Sequence, residues 1–252
     1  MHAVIVIPAR YASTRLPGKP LLRQTGKYLI QHVYERARQA RRIGSVVVAT
    51  DDPRIVAAVE SFGGRVVRTR RDHPSGTDRV AEVAERLDAD VILNVQGDEP
   101  QVDPASLDLL VDLLDKDPTA DMATLAAPLA SEEQWRNPNC VKVVCDAAGR
   151  ALYFSRSPIP YVRDGQPDFA ARPARFLLHL GLYAYRRPFL LQLAALPPEP
   201  VEELEKLEQL RVLAHGRRIQ VGVVGHAAPG VDTYDDYLQF VEAERRRDGL
   251  AA

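Results

Sequence analysis

AVIVIPARYASTRLPGKP, residues 3–20, opens as an apolar, β-branched run from Ala3 to Ile7 and leaves it in a loop that carries Arg10, Arg15 and Lys19. Short β-branched runs return at Val46 to Thr50, Arg65 to Arg68 and Val91 to Val95, each separated from the next by a segment with helical spacing. Alternation of this kind predicts parallel strands joined by crossover helices, hence an α/β fold.

The intervening segments repeat apolar residues at helical intervals: Ile55, Ala58, Val59, Phe62; then Val80, Val83, Ala84, Leu87; then Leu107, Leu110, Val111, Leu114. Each stripe presents one face to a sheet. Pro53 after Asp51 and Asp52, and Pro104 after Asp103, mark helix starts, because proline fits the first turn and an Asp oxygen accepts an orphan N–H. After Asp121 the rhythm changes to runs that pair locally, Met122 to Pro128, Val141 to Cys145 and Ala151 to Phe154, with a hairpin turn at Ala147 to Arg150. Ser157 to Pro173 is rich in Pro, Asp, Gly and Arg and lacks periodicity, so it reads as a long loop suited to a lid or a dimer arm. Helices are expected at Arg187 to Ala195 and Glu202 to His215, a strand at Ile219 to Val224, and a last helix from Thr233 capped by Asp232. A chain of 252 residues fits one domain over 1–252.

Lys and Arg number 33 against 34 Asp and Glu, and no long run of like charge occurs, so nothing draws the chain to nucleic acid or anionic lipid. No apolar stretch reaches the roughly 20 residues that span a bilayer, and Ala3 to Ile7 follows no charged leader, which sets cytoplasmic placement as the expectation. Cys140 and Cys145 lack a second Cys or His pair at zinc spacing and read as reduced core thiols.

Chemistry concentrates in loops that follow strands. In open α/β sheets ligands bind at the carboxyl ends of the strands, where the Arg10–Lys19 loop and the loop QGDEP, residues 96–100, both emerge. Two guanidiniums and an ammonium suit a nucleoside triphosphate, which brings about four negative charges, and Lys19 is placed to stabilise a transferring phosphoryl group. Asp98, behind the permissive Gly97, serves either as a turn former or as a Mg²⁺ ligand against phosphate oxygens. Asp232, in PGVDT, is either a helix cap or a second magnesium carboxylate, and Ser75, Gly76 and Thr77 either cap a helix or contact a base or ribose. The sequence contains no GxxxxGK[ST], no GxGxxG after a strand, no HExxH and no GxSxG.

In this order, PARYASTRLPGKPL, ATDD, SGTDR, NVQGDEP, NPNCVKVV, ALYFSR, HLGLYAYR, LEQLR and GVDT resemble the 3-deoxy-manno-octulosonate cytidylyltransferase (CMP-Kdo synthetase) family over almost the whole chain. The resemblance implies a Rossmann-like, mixed, mostly parallel sheet flanked by helices, of the glycosyltransferase-A type, with Mg²⁺ dependence and a homodimer whose dimerisation and sugar-pocket subregion lies around 150–200. It implies the substrates CTP and Kdo, with CMP-Kdo and diphosphate as products, for lipopolysaccharide synthesis. Nucleotide contacts then map to Ala9, Arg10, Ser13, Arg15, Lys19, Ser75 and Gly76, and magnesium carboxylates to Asp98 and Asp232. Lys19, Asp98, Asp232 and Arg15 form the implied catalytic set. Sugar-acid contacts map to Gln96, Arg156, His179, Tyr183, Glu208 and Gln209, with Arg156 suited to a carboxylate. On their own, His179 reads as a hydrogen-bonded core histidine and Glu208 as an exposed helical charge. Tyr161 stands where many relatives carry tryptophan. A cytidylyltransferase for another 2-keto sugar acid and a non-catalytic nucleotide-binding module are the rival readings.

Overall fold

The computed structural model describes residues 1–12, 16–171, 174–247 and 249. They form two compact units, one made of His2–Asp108 with Ala228–Ala252, the other of Met1 with Leu109–Ala227.

The first unit contains β1 (Ala3–Pro8), a 3-10 turn (Lys19–Leu21), α1 (Leu29–Ala37), β2 (Ile43–Thr50), α2 (Pro53–Ser61), β3 (Val66–Arg68), α3 (Gly76–Ala84), β4 (Val91–Asn94) and, near the C-terminus, α9 (Tyr234–Arg247). Its strands lie in the order β3-β2-β1-β4, all parallel, with Ile5 opposite Val46 on one side and Leu93 on the other. Every residue of β1 and β4 is buried, as strands covered on both faces must be. Parallel pairing sends the loops after all four strands to one edge. Asp52 caps α2 by accepting from the Arg54 N–H at 2.9 Å, with Pro53 in the first turn as expected. Leu16, Leu29, Val231, Tyr237, Phe240 and Val241 form one apolar cluster, which seats both the end of the basic loop and the PGVDT stretch on α9.

α4 (Pro104–Lys116) begins in the first unit and ends in the second. The second unit continues with β5 (Met122–Pro128), α5 (Glu132–Arg136), β6 (Lys142–Cys145), β7 (Ala151–Ser155), β8 (Leu177–Arg186), α6 (Arg187–Ala195), α7 (Pro200–Glu205), α8 (Gln209–Ala214) and β9 (Ile219–Val223). β5 pairs antiparallel with β8 and parallel with β9, and β6 pairs antiparallel with β7 and β8. The α/β class, with a mixed, mostly parallel sheet flanked by helices, is therefore as the sequence predicts.

Three details differ from the sequence reading. The helix expected over Glu202 to His215 is two helices, because Lys206 takes a left-handed conformation (φ 53°) that ends α7. The cap of α9 is Thr233 and not Asp232: the Thr233 hydroxyl accepts from the Asp236 N–H, while the Asp236 carboxylate accepts from the N–H groups of Asp232 and Thr233. Cys140 and Cys145 are unpaired but only partly buried, so they are not core residues. Burial pushes the Cys145 thiol up to about 11.

Ser157 to Ala171 forms no strand or helix, and Phe169 packs it onto Trp135 and Phe176; Arg172 and Pro173 lie outside the described residues. No helix among the described residues is long and apolar enough to cross a membrane.

Candidate active site

Lys19 is the centre of the charged loops of the first unit. Its Nζ donates to Asp98 Oδ2 at 2.6 Å and to the Val231 carbonyl at 2.8 Å, and stands 3.7 Å from Asp232 Oδ1. The Val231 N–H donates to the Asp98 carbonyl at 2.9 Å, so the QGDEP loop and the PGVDT stretch are joined by backbone as well as by the lysine. Gly97 is demanded by space, since a Cβ there would lie 3.1 Å from the Pro8 carbonyl oxygen. Lys19 is 12% exposed, whereas Asp98 and Asp232 are 32% and 53% exposed, which leaves both carboxylates open to a ligand. Beside them the Glu99 carboxyl is pushed up to about 7, first by burial and then by the negative charges of Asp98 and Asp232.

Two carboxylates already within reach of one cation, the Lys19 ammonium, form a hard oxygen donor set. Such a donor set fits a hard cation that takes one or two carboxylates from the protein and the rest of its shell from water and phosphate oxygens.

The other residues expected to meet nucleotide are placed as follows. Ala9 is buried, and its N–H donates to the Ala49 carbonyl at 2.9 Å. Arg10 donates through Nη2 to the His73 carbonyl at 3.2 Å. His73 is in turn held by a short bond to Glu82, which also accepts from the Arg70 N–H at 3.0 Å. Burial raises the Glu82 pKa, but the bonds from His73 and Arg70 outweigh it and hold the carboxylate below its ordinary range. Ser75 caps α3 in a reciprocal box with Asp78, accepting from the Asp78 N–H at 3.2 Å. Gly76 opens α3, where a Cβ would meet Pro8 at 3.6 Å and Gln96 Oε1 at 4.0 Å, so Gly76 and Gln96 are neighbours. Ser13 and Arg15 lie outside the described residues.

Several participants escape a sequence reading. Arg79, 1% exposed, pairs with Asp51 at 2.8 Å and with Thr69. Its Nε has no hydrogen-bond partner among the described residues. The strings ATDD and SGTDR contain this pair, but nothing in either string shows that they meet. A cavity of about 570 Å³ adjoins it, lined by Arg10, Tyr11, Asp51, Arg54, Arg71 and Arg79 among others.

In the second unit the expected sugar-acid residues range from buried His179 and Gln209 to exposed Glu208. The Arg156 guanidinium donates to the carbonyls of Glu205 (2.6 Å), Pro138 (2.9 Å) and Lys206 (3.3 Å), neutral acceptors that leave its charge uncompensated by these bonds. His179 is buried with its Nε2 2.9 Å from Thr124 Oγ1, and burial lowers its pKa to about 3, so the imidazole is neutral at neutral pH. Burial, with Glu208 second, holds the Tyr183 phenol above its ordinary range, and its hydroxyl donates to Gln209 Oε1 at 3.5 Å. Gln209 is 4% exposed and its Nε2 lacks a partner among the described residues, an orphaned donor of the kind that calls for an explanation. Glu208 is exposed at the start of α8.

The family model described as cytidylyltransferase matches residues 4–219, which places this parallel sheet, with a lysine between two open carboxylates at its carboxyl edge, among the nucleotidyltransferases. The 3-deoxy-manno-octulosonate cytidylyltransferase of Syntrophotalea carbinolica is 53% identical, over 98% of this chain and 99% of that protein. That of Geobacter sulfurreducens is 50% identical over 96% and 99%. A solved structure of CMP:2-keto-3-deoxy-manno-octonic acid synthetase complexed with CTP aligns with a TM-score of 0.91 at 46% identity, covering 98% of this chain and all of that one. The chain belongs to the 3-deoxy-manno-octulosonate cytidylyltransferase family.

Proposed function

We propose that the protein activates Kdo, converting CTP and 3-deoxy-D-manno-octulosonate to CMP-Kdo and diphosphate, in support of lipopolysaccharide synthesis in the cytoplasm. The observation that carries this reading is the placement of Lys19 between Asp98 and Asp232, in a chain about half identical to Kdo cytidylyltransferases over nearly its full length.

The anomeric 2-hydroxyl of the sugar acid attacks the α-phosphorus of CTP; its O–P bond forms as the bond to the diphosphate oxygen breaks, and the hydroxyl proton passes to solvent. Such transfers are accelerated mainly by positioning and charge neutralisation. Arg10 and Lys19 neutralise the triphosphate, joined in this reading by Arg15, while Ala9, Ser13, Ser75 and Gly76 border the nucleoside. Asp98 and Asp232 would hold Mg²⁺, which supplies charge neutralisation on phosphate oxygens and a lowered hydroxyl pKa. Gln96, Arg156, His179, Tyr183, Glu208 and Gln209 take the sugar acid, with Arg156 meeting its carboxylate and Gln209 offering its unpaired amide donor. His179 serves there as a neutral hydrogen-bonding ring.

A homodimer completes the reading, supported by the exposure of Leu152 (61%), Tyr161 (82%) and Leu204 (84%), large apolar side chains in or near the 150–200 subregion. Sedimentation equilibrium tests it; a monomer at micromolar concentration defeats it.

Diphosphate release should require CTP, Kdo and Mg²⁺ together, stop on chelation with EDTA and resume on adding Mg²⁺. Release with a different 2-keto sugar acid would move the substrate assignment, and absence of release with every sugar acid tested would favour a non-catalytic nucleotide-binding module.

A further inference from the structure

Lys19 sits at the end of a long, flexible side chain, so its aim depends on how firmly the backbone beneath it is held. The chain leaves β1 at Pro8 and comes back on itself at Gly18, whose N–H donates to the Tyr11 carbonyl at 3.0 Å. Gly18 has φ 69°, a conformation natural to glycine, and a Cβ there would lie 3.2 Å from the Tyr11 ring. The ring therefore packs on the residue immediately before Lys19. Against the same ring the Arg54 guanidinium carbon lies 3.2 Å from the centroid. Asp52 grips that guanidinium through Nε at 2.9 Å and Nη2 at 2.6 Å, and Asp52 also caps α2.

From this stack we infer that Tyr11 is the positioning residue for Lys19: its ring, braced by the Asp52–Arg54 pair at the start of α2, fixes Gly18 and so the direction from which Lys19 reaches Asp98 and Val231. A guanidinium over a tyrosine face at a solvent-facing site is generally a weak attraction. This one differs because a single ring contacts both a guanidinium fixed to a helix start and the glycine that precedes the lysine. Ring carbons and the hydroxyl oxygen of Tyr11 both adjoin Gly18, and the ring alone carries the guanidinium, so phenylalanine should retain most of the effect.

The inference rests on the assignment of Lys19 to the chemical step, and a double-mutant cycle separates the two. Diphosphate release is measured for Tyr11→Phe, Tyr11→Ala, Lys19→Ala and the Tyr11→Ala/Lys19→Ala pair. Tyr11→Ala should lower kcat about tenfold while Tyr11→Phe stays within about twofold, a loss of the size expected for a misplaced reacting group. In the Lys19→Ala background the same Tyr11→Ala change should cost less than about twofold. Equal losses in both backgrounds, or a Phe variant as impaired as Ala, would overturn the positioning role. Full activity of Lys19→Ala would instead overturn the assignment of the lysine.

Two further measurements guard against an unstable Tyr11→Ala protein or turnover too weak to follow. Arg54→Met, which removes the brace, should lower kcat about threefold in the Lys19 background only, and an unchanged kcat would defeat the bracing. Acetylation of Lys19 by an N-hydroxysuccinimide ester, followed by mass spectrometry, should quicken in Tyr11→Ala and not in Tyr11→Phe; unchanged labelling in Tyr11→Ala would likewise defeat the proposal.

Discussion

The Lys19 cluster of the first unit and the His179 and Arg156 surroundings of the second treat charge in different ways. In the first, Lys19 faces two carboxylates of which one is 32% and the other 53% exposed, so the charged groups remain open to exchange partners for a ligand. In the second, His179 is neutralised by burial and tied to Thr124, and Arg156 spends its guanidinium on three backbone carbonyls. Open charges act on a ligand by neutralising it. Buried polar groups act by holding a shape, and each lost bond costs stability. Lys19, Asp98 and Asp232 should therefore respond to mutation mainly in rate, and His179 and Arg156 mainly in stability and substrate affinity.

Asp98→Asn tests the first half of that contrast most severely. The change keeps the size of the side chain and removes the charge that faces Lys19, so turnover should fall about a thousandfold or more while the thermal midpoint stays within a few degrees. Near-normal kcat would break the contrast, because Asp98 would then be no more than a turn residue.

His179 sharpens the second half. Its folded pKa of about 3 lies below its ordinary value of 6.5, so between those pH values the unfolded chain binds a proton that the folded chain refuses. Stability from this group is full above about pH 6.5 and declines as the solution is acidified toward pH 3, with a limiting slope of about 1.4 kcal/mol per pH unit. Urea unfolding at pH 7, 6 and 5 should show this loss in the unaltered chain and a shallower one in His179→Gln. Parallel profiles would mean that the ring is protonated in the fold.

Arg156→Lys should act more gently. Lysine keeps the charge but loses the fork that spans three carbonyls, so the KM for Kdo should rise about tenfold with the KM for CTP unchanged. A rise in both constants would reduce Arg156 to a structural clamp and leave the second unit without a cationic sugar contact.

In the first unit strand order was legible because it rests on periodicity, and β1 to β4 and the α2 start at Pro53 follow the sequence closely, whereas α5 and β8 of the second unit were not read. The meeting of the Lys19 loop with the Asp98 loop was also legible, because both loops follow parallel strands. What could not be read was pairing across distance. Arg79 with Asp51, Tyr11 with Gly18 and Arg54, and Glu82 with His73 are separate in sequence and meet only through the fold. The cap at Thr233 was misassigned to Asp232 for a local reason: both residues can cap, and the reciprocal bonds with Asp236 decide between them.

The split of the expected helix over Glu202 to His215 turns on one residue, and it yields the smallest effect. Lys206 adopts φ 53° and ψ 49° as the C-cap of α7, and its N–H donates to the Glu202 carbonyl. A left-handed conformation costs an L-residue roughly 1–2 kcal/mol, whereas glycine adopts it freely but gives up roughly 0.5–1 kcal/mol more chain entropy on folding. Lys206→Gly should therefore stabilise the protein by about 0.5 kcal/mol, with activity unchanged, because the lysine side chain is exposed and its carbonyl still accepts from Arg156. Lys206→Val should do the reverse and by more, since a β-branched residue tolerates that conformation poorly. Paired urea titrations of the two variants supply the check. If glycine destabilises and valine does not, the segment is an unbroken helix, and the carbonyls of Glu205 and Lys206 would no longer be free for the Arg156 guanidinium.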